Sequence, residues 1–249
     1  MNDIAIVVPF FNHAQVIEAT VAALSQFGLR CWVVNDGSNA AASAVVARIA
    51  ARESAWLTLV SHPDNRGKGA AVVTGLRAAQ AAGATHALQI DADGQHDFGD
   101  INRCLLCVRQ YPEALILGAP VFNASVPRAR RIGRKITNFW VAVNTLSRDI
   151  PDAMCGFRVY PLAPILQLAS TGAIGSRMAF DPEIVVRAVW HGIHIRTFDT
   201  RVNYPTDGVS HFKFLRDNLL ISWMHTRLFF GMSLRLPSLL ARRWHRRGQ

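Results

Sequence analysis

The chain has 249 residues, half of them hydrophobic, enough for one sizeable core, and with only 18% charged residues it is not a disordered polar segment. The formal net charge is +10, and of the 27 basic residues only Lys68, Lys135 and Lys213 are lysines. Arginine favours forked contacts to phosphate, so an anionic partner is expected. Four cysteines make no disulfide scaffold in a chain this long, and a reducing cytoplasm is the expected compartment.

In chain order, Ile4 to Pro9 is a continuous apolar run suited to a buried parallel strand. Ala14 to Gln26 repeats apolar residues at helical spacing. Cys31 to Val34 reads as a second strand, ended by Asn35-Asp36-Gly37-Ser38, and Ala41 to Arg52 as an Ala-rich helix. Leu57 to Val60 is a third strand. The loop Asn65-Arg66-Gly67-Lys68-Gly69 opens a helix over Ala70 to Ala82. It lacks the spacing of a P-loop, but a helix start carrying Arg66 and Lys68 suits a diphosphate. His86 to Ile90 is a fourth strand, Phe98 to Tyr111 a helix containing Cys104 and Cys107, and Leu115 to Gly118 a fifth strand. The alternation predicts an α/β fold with a mostly parallel sheet and helices on both faces. Ligands then bind beyond the carboxyl ends of the strands, where Pro9 to Asn12, Asp36 and Asp91 to Gln95 all fall.

The stretch Asp91-Ala92-Asp93-Gly94-Gln95-His96 is the focus. Alternation along the preceding strand lets Asp91 and Asp93 project to one side, and the Gln95 amide oxygen follows. Such a set suits a hard divalent cation that shares its shell with phosphate oxygens. Beyond it, Arg128, Arg130, Arg131, Arg134 and Lys135 open an amphipathic helix running to about Leu146, with no acid between Glu113 and Asp149. Asp152 to Arg158 leads into Val159-Tyr160, Phe180-Asp181-Pro182-Glu183 starts another helix, and His194 to Val202 alternates like a half-buried strand.

From Phe212 the character changes. Apolar residues from Leu215 to Phe229 repeat at helical spacing, and the chain ends in Arg242-Arg243-Trp244-His245-Arg246-Arg247. Residues 213–249 hold eight Lys/Arg and one Asp. An apolar helix with an Arg-rich end suits the interface of an anionic membrane. No run of 18 uncharged apolar residues occurs, and the N-terminus lacks a basic leader, so neither a span nor a signal peptide is expected.

Six pieces together resemble one known family: Val8-Pro9-Phe10-Phe11-Asn12, Val34-Asn35-Asp36-Gly37-Ser38, Asn65-Arg66-Gly67-Lys68-Gly69-Ala70, Asp91-Ala92-Asp93-Gly94-Gln95-His96, Arg131-x-x-Arg134-x-x-x-Asn138 and Asp152-x-x-Cys155-Gly156-Phe157-Arg158. In this order they resemble family 2 glycosyltransferases of the GT-A fold, in particular the branch acting on dolichol and other polyprenyl phosphates. The resemblance implies that Pro9, Asn12, Asp36 and Gly37 hold the nucleoside of a UDP- or GDP-sugar, with Asp36 near the base. It implies Mg²⁺ or Mn²⁺ on Asp91, Asp93 and Gln95, and phosphate contacts from Arg131 or Arg134. His13 stands where the family has Glu, and Asn35 where it has Asp.

Departure of a nucleoside diphosphate builds negative charge that a metal and cations stabilise. An acceptor attacking from the opposite face inverts the anomeric centre. A phosphate acceptor is already anionic and needs cations rather than a base; a hydroxyl acceptor would need a general base, for which Asp152 and Asp181 are the candidates. Arg66, Lys68 and Arg158 complete the expected contacts. The expected organisation is a GT-A domain over residues 1–211, with a nucleotide-binding half over residues 1–118 and an acceptor half over residues 119–211, then a membrane-associating segment over residues 212–249. The expected setting is the cytoplasmic face of a membrane with a lipid-phosphate acceptor. Transfer to a hydroxyl and sugar-1-phosphate nucleotidyl transfer are the rival chemistries. The nucleotidyl reaction wants a Gly- and Arg-containing loop after the first strand, where Pro9-Phe10-Phe11-Asn12 stands. Nucleic acid is not expected, because the basic residues form two separate clusters rather than a stripe.

Overall fold

The computed structural model describes residues 3–122, 126, 128–172, 174–202 and 214–247. The expected boundary at 211–212 lies outside these, as do the side chains of Leu215, Arg243, Arg246 and Arg247.

Seven strands form one sheet: β1 (Ile4–Phe10), β2 (Cys31–Asp36), β3 (Leu57–His62), β4 (His86–Gln89), β5 (Leu115–Phe122), β6 (Arg158–Pro161) and β7 (Ile195–Val202). Their order is β3-β2-β1-β4-β6-β5-β7. The pairs β3–β2, β2–β1, β1–β4 and β5–β7 are parallel, whereas β6 runs antiparallel to both β4 and β5. The expected division at 118 falls inside β5, and β6 from the second half is inserted beside β4. Eight helices complete the described chain: α1 (Ile17–Ser25), α2 (Ala40–Arg52), α3 (Lys68–Ala81), α4 (Ile101–Gln110), α5 (Arg128–Thr145), α6 (Leu162–Ser170), α7 (Phe180–Trp190) and α8 (Phe214–Arg247).

Strand alternation divides the core. Ala5 and Val7 of β1 face a cluster shared with α3, α6, α7 and α8, while Ile6, Val8 and Phe10 face the one shared with α1, α2 and α4. Each such fully buried Val or Ile contributes about 1.5–3 kcal/mol. Helix α3 lies tight on the sheet because Gly75 brings no Cβ to Val7, where one would overlap its Cγ1. Helix α1 starts later than the periodicity predicts, since Asn12 turns the chain at φ 58° and residues 14–16 form a turn. The segment expected as a helix from Phe98 splits into a 3₁₀ turn, Phe98–Asp100, and α4, with the Asp97 carboxylate accepting from the Gly99 amide. Cys104 and Cys155 sit in the core beside Ile101 and Phe157. Burial pushes the Cys155 thiol up to about 12, which keeps it protonated.

Candidate active site

The loops after β1, β2, β3 and β4 meet along one edge of the sheet. Asn12, in the left-handed conformation that Asn tolerates, ties the first two together. Its amide donates to Ser38 Oγ at 3.0 Å, and its Oδ1 accepts from the Asn39 amide at 2.9 Å. Gly37, at φ 66°, has no room for a Cβ against the Asp64–Asn65 backbone. Pro9 is partly buried in β1, opposite Val34.

Asp36 is buried and its carboxylate is fully committed. Oδ1 accepts from His62 Nδ1 at 2.7 Å and the Arg66 amide at 3.0 Å; Oδ2 accepts from Asn65 Nδ2 at 3.0 Å and the Gly67 amide at 2.8 Å. Asp36 therefore shapes the 62–67 loop, and a direct contact to a base would have to displace one of these donors. Arg66 itself is exposed above the loop.

Lys68, the first residue of α3, lies between two carboxylates: Asp91 Oδ2 and Asp181 Oδ2 are each 2.8 Å from its Nζ. Burial works against the ammonium, but Asp181 and Asp91 outweigh it and hold its pKa above the ordinary lysine range. Burial likewise opposes charge on Asp91, yet Lys68 and His96 keep its carboxyl well below the usual range. Asp91 Oδ1 also accepts from Gln89 Nε2 at 3.3 Å, and Gln89 Oε1 accepts from the buried Tyr160 hydroxyl at 2.7 Å. Gly156 lies directly beneath Asp91; a Cβ there would collide with both carboxylate oxygens.

Arg158 is fully buried. It donates to the carbonyls of Ala153, Cys155 and Asp181 and sits 3.5 Å from Asp181 Oδ1. These bonds use its fork internally, so it pins the 152–158 segment to α7 and is not placed to meet a ligand.

Among the described residues no three His, Cys, Asp or Glu side chains converge into a metal cage. Asp91 is held by Lys68, whereas among the described residues Asp93 accepts only from the Gln95 amide, at 3.1 Å, and both Asp93 and Gln95 are partly exposed. Hard oxygen donors with capacity left suit a divalent ion that takes its remaining ligands from phosphate and water. The donor set fits such an ion, not a closed protein site.

The Asp152–Arg158 segment runs from Asp91 to a second cleft of about 420 Å³, lined by Pro120, Phe122, Arg131, Arg134, Lys135, Asn138 and Asp152 among others. Asp152 makes a forked pair with Arg134, Nε–Oδ2 and Nη2–Oδ1 both 2.8 Å, and accepts from the Met154 amide at 2.8 Å. The Arg134 guanidinium also lies over the Phe122 ring at 5.3 Å. Arg131 and Lys135 are exposed, with no carboxylate within 4.0 Å among the described residues.

The fold thus joins Lys68, Asp91 and Asp181 in one network, with Arg158 behind it, and pairs Arg134 with Asp152 in the second cleft, which Arg131 also lines. Sequence reasoning missed His62, the partner of Asp36, and Arg177, whose Nη1 donates to Asn65 Oδ1 at 3.0 Å over the 62–67 loop. His62 ends a strand and could have been found by its place level with Asp36. Arg177 follows a loop with no periodic signal.

A family model described as glycosyl transferase family 2 matches residues 5–167. A dolichyl-phosphate beta-glucosyltransferase of Trichomonas vaginalis is 29% identical over 209 residues, 74% of this chain and 61% of that protein. A dolichyl-phosphate beta-glucosyltransferase of Dictyostelium discoideum is 28% identical over 172 residues, 66% of this chain and 51% of that protein. The chain therefore spans only about half to three fifths of the length of these curated relatives. Among solved structures, a mannosyltransferase from Pyrobaculum calidifontis in complex with GDP-Man and Mn²⁺ superposes at TM-score 0.59 with 18% identity, over 94% of this chain and 64% of that one. A glucosyl-3-phosphoglycerate synthase from Mycobacterium tuberculosis does so at TM-score 0.62 with 15% identity, over 94% and 80%. These likenesses carry the GT-A fold, and the family match over most of the sheet carries membership: the chain belongs to glycosyl transferase family 2.

Proposed function

We propose that the protein transfers a sugar, with inversion, from a UDP- or GDP-sugar to a polyprenyl phosphate at the cytoplasmic face of a membrane. The observation that carries this is the state of the two carboxylates that could serve as a base, Asp152 in the acceptor cleft and Asp181 beside Lys68. Asp152 is forked onto Arg134, and Asp181 is paired with Lys68 and Arg158. Both carboxylates are taken up by cations of the protein rather than standing open to receive a proton from a hydroxyl. The cleft instead offers Arg131 and Lys135, which among the described residues have no carboxylate within 4.0 Å. That suits an acceptor that arrives as an anion and attacks without losing a proton.

In this reading the loops around Asn12, Gly37 and Asn65 receive the nucleoside, with Asp36 holding their shape. Lys68 and Arg66 face the diphosphate at the start of α3. Asp93 and Gln95 would hold Mg²⁺ or Mn²⁺, which when bound neutralises charge building on the departing diphosphate. Arg131, Arg134 and Lys135 draw the acceptor phosphate in and keep it from being repelled by the donor. The relatives that act on dolichyl phosphate, and the solved relative holding GDP-Man and Mn²⁺, support the assignment. No described helix is long and apolar enough to cross a membrane; the expected contact is peripheral.

The test is to offer a panel of UDP- and GDP-sugars with a polyprenyl phosphate and with free lipid alcohols, and to analyse the product. An acid-labile sugar phosphate is expected. A stable glycoside, formed only with the alcohols, would overturn the proposal in favour of hydroxyl transfer.

A further inference from the structure

Two helices carry large apolar side chains that point away from the protein. Phe139 on α5 is 62% exposed, and Trp223 and Phe230 on α8 are 65% and 64% exposed; Ile132, Ile136, Leu219 and Leu234 are more than half exposed as well. They are not scattered. Ring centroids run Phe139–Trp140 at 5.6 Å, Trp140–Phe229 at 6.3 Å and Phe229–Phe230 at 6.0 Å, so an aromatic ridge joins the two helices. The other side of α8, with Ile221, Met224, Leu228, Met232 and Leu239, is buried in the core. Core packing calls for one apolar stripe per helix; α8 has a second, facing outward.

Charge says what covers this face. Helix α5 contains no acidic residue, and its exposed Arg128, Arg131 and Lys135 line one flank of the Ile132–Ile136–Phe139 stripe at 3.6 residues per turn. The single acid of α8, Asp217, is buried, while Arg216 is exposed. A second copy placed face to face would bring these cations against one another. An anionic surface with an apolar layer beneath it complements both features.

We infer that this two-helix face lies in the interface of an anionic lipid bilayer, with α5 inserted beside α8. This differs from an anchor made by the C-terminal helix and its arginines alone. Several apolar positions between Leu215 and Phe229 face the core, and Arg242 is fastened to the protein, donating to the Trp190 carbonyl at 2.6 Å. Arg131 and Lys135 belong to both the stripe's flank and the acceptor cleft. Docking through α5 would therefore open that cleft at the lipid headgroups. This consequence rests on the proposed lipid-phosphate acceptor; the docking face itself does not.

The experiment uses the full chain with vesicles of phosphatidylcholine and of phosphatidylcholine mixed with phosphatidylglycerol. Two double variants accompany it, Ile136→Ser with Phe139→Ser on α5 and Trp223→Ser with Phe230→Ser on α8, each checked for native helicity. Parent protein should bind the anionic vesicles, less so at high salt. Each double variant should bind on the order of a hundredfold more weakly, about tenfold per apolar side chain withdrawn. Parent-like binding by the α5 variant overturns the inference. So does a parent that ignores vesicles, or a parent dimer that the same substitutions convert to monomer. Transfer to a short-chain, water-soluble prenyl phosphate reads the chemistry separately. If it is absent while vesicle binding is intact, the acceptor reading fails and the docking face stands; if it is present without vesicle binding, the docking face alone fails.

Discussion

Replacing Asp36 by Ala removes a carboxylate that four donors share, and the structure sets the size of the effect. Two donors are side chains, His62 and Asn65, that can turn to other partners; two are the Arg66 and Gly67 amides, fixed by the backbone. A hydrogen bond to a charged group contributes about 1.5–3 kcal/mol, and a buried donor left unsatisfied costs about 1–3 kcal/mol. The four do not add fully, since the loop can relax, which leaves a loss of about 3–5 kcal/mol against a total stability of about 5–15 kcal/mol. Asp36→Asn keeps the shape and one acceptor oxygen, so about half of that is expected. The assay is denaturant unfolding, with UDP and GDP affinity measured by calorimetry on the same samples. Affinity should fall because the loop is disordered, for both nucleotides alike. If Asp36→Ala unfolds within about 0.5 kcal/mol of the parent while discrimination between UDP and GDP collapses, the loop-anchor account is wrong and the carboxylate contacts the base.

Asp93→Asn should abolish transfer and leave the unfolding midpoint unchanged, because among the described residues Asp93 makes one internal hydrogen bond; full turnover of the parent in excess chelator would count against the metal reading. Gly156→Ala puts a methyl group into the Asp91 carboxylate, and displacement of about 1 Å at such a site is expected to cost about a hundredfold in kcat/KM; parent-like kinetics would mean that Asp91 can shift without consequence. His225, buried against α5, has its pKa lowered to about 4 by burial, against about 6.5 in the unfolded chain. Its neutral form is the folded one, so stability is full above about pH 6.5 and falls as the pH drops towards 4, by on the order of 2–3 kcal/mol. A His225→Leu variant should lose that share of the pH slope in thermal unfolding, and identical slopes would refute the assignment.

The parallel half of the sheet, and the edge along which the loops after β1 to β4 meet, were legible in the residues alone. Continuous apolar runs ending in Pro9, Asp36 and Asp91 specify buried strands whose polar residues collect at their carboxyl ends, because local alternation and turn chemistry act within a few residues. The residues also marked the basic helix and the apolar C-terminal helix as amphipathic. Tertiary structure alone decided the antiparallel insertion of β6, since Arg158–Pro161 is only four residues long and is specified by its partners on β4 and β5. It decided that Asp36 and Arg158, polar residues that suggest ligand contacts, are spent on holding loops in place. Lys68 met Asp181 across 113 residues for the same reason: ion pairing and burial depend on distance in space, and no periodicity in the chain records which carboxylate a lysine will meet.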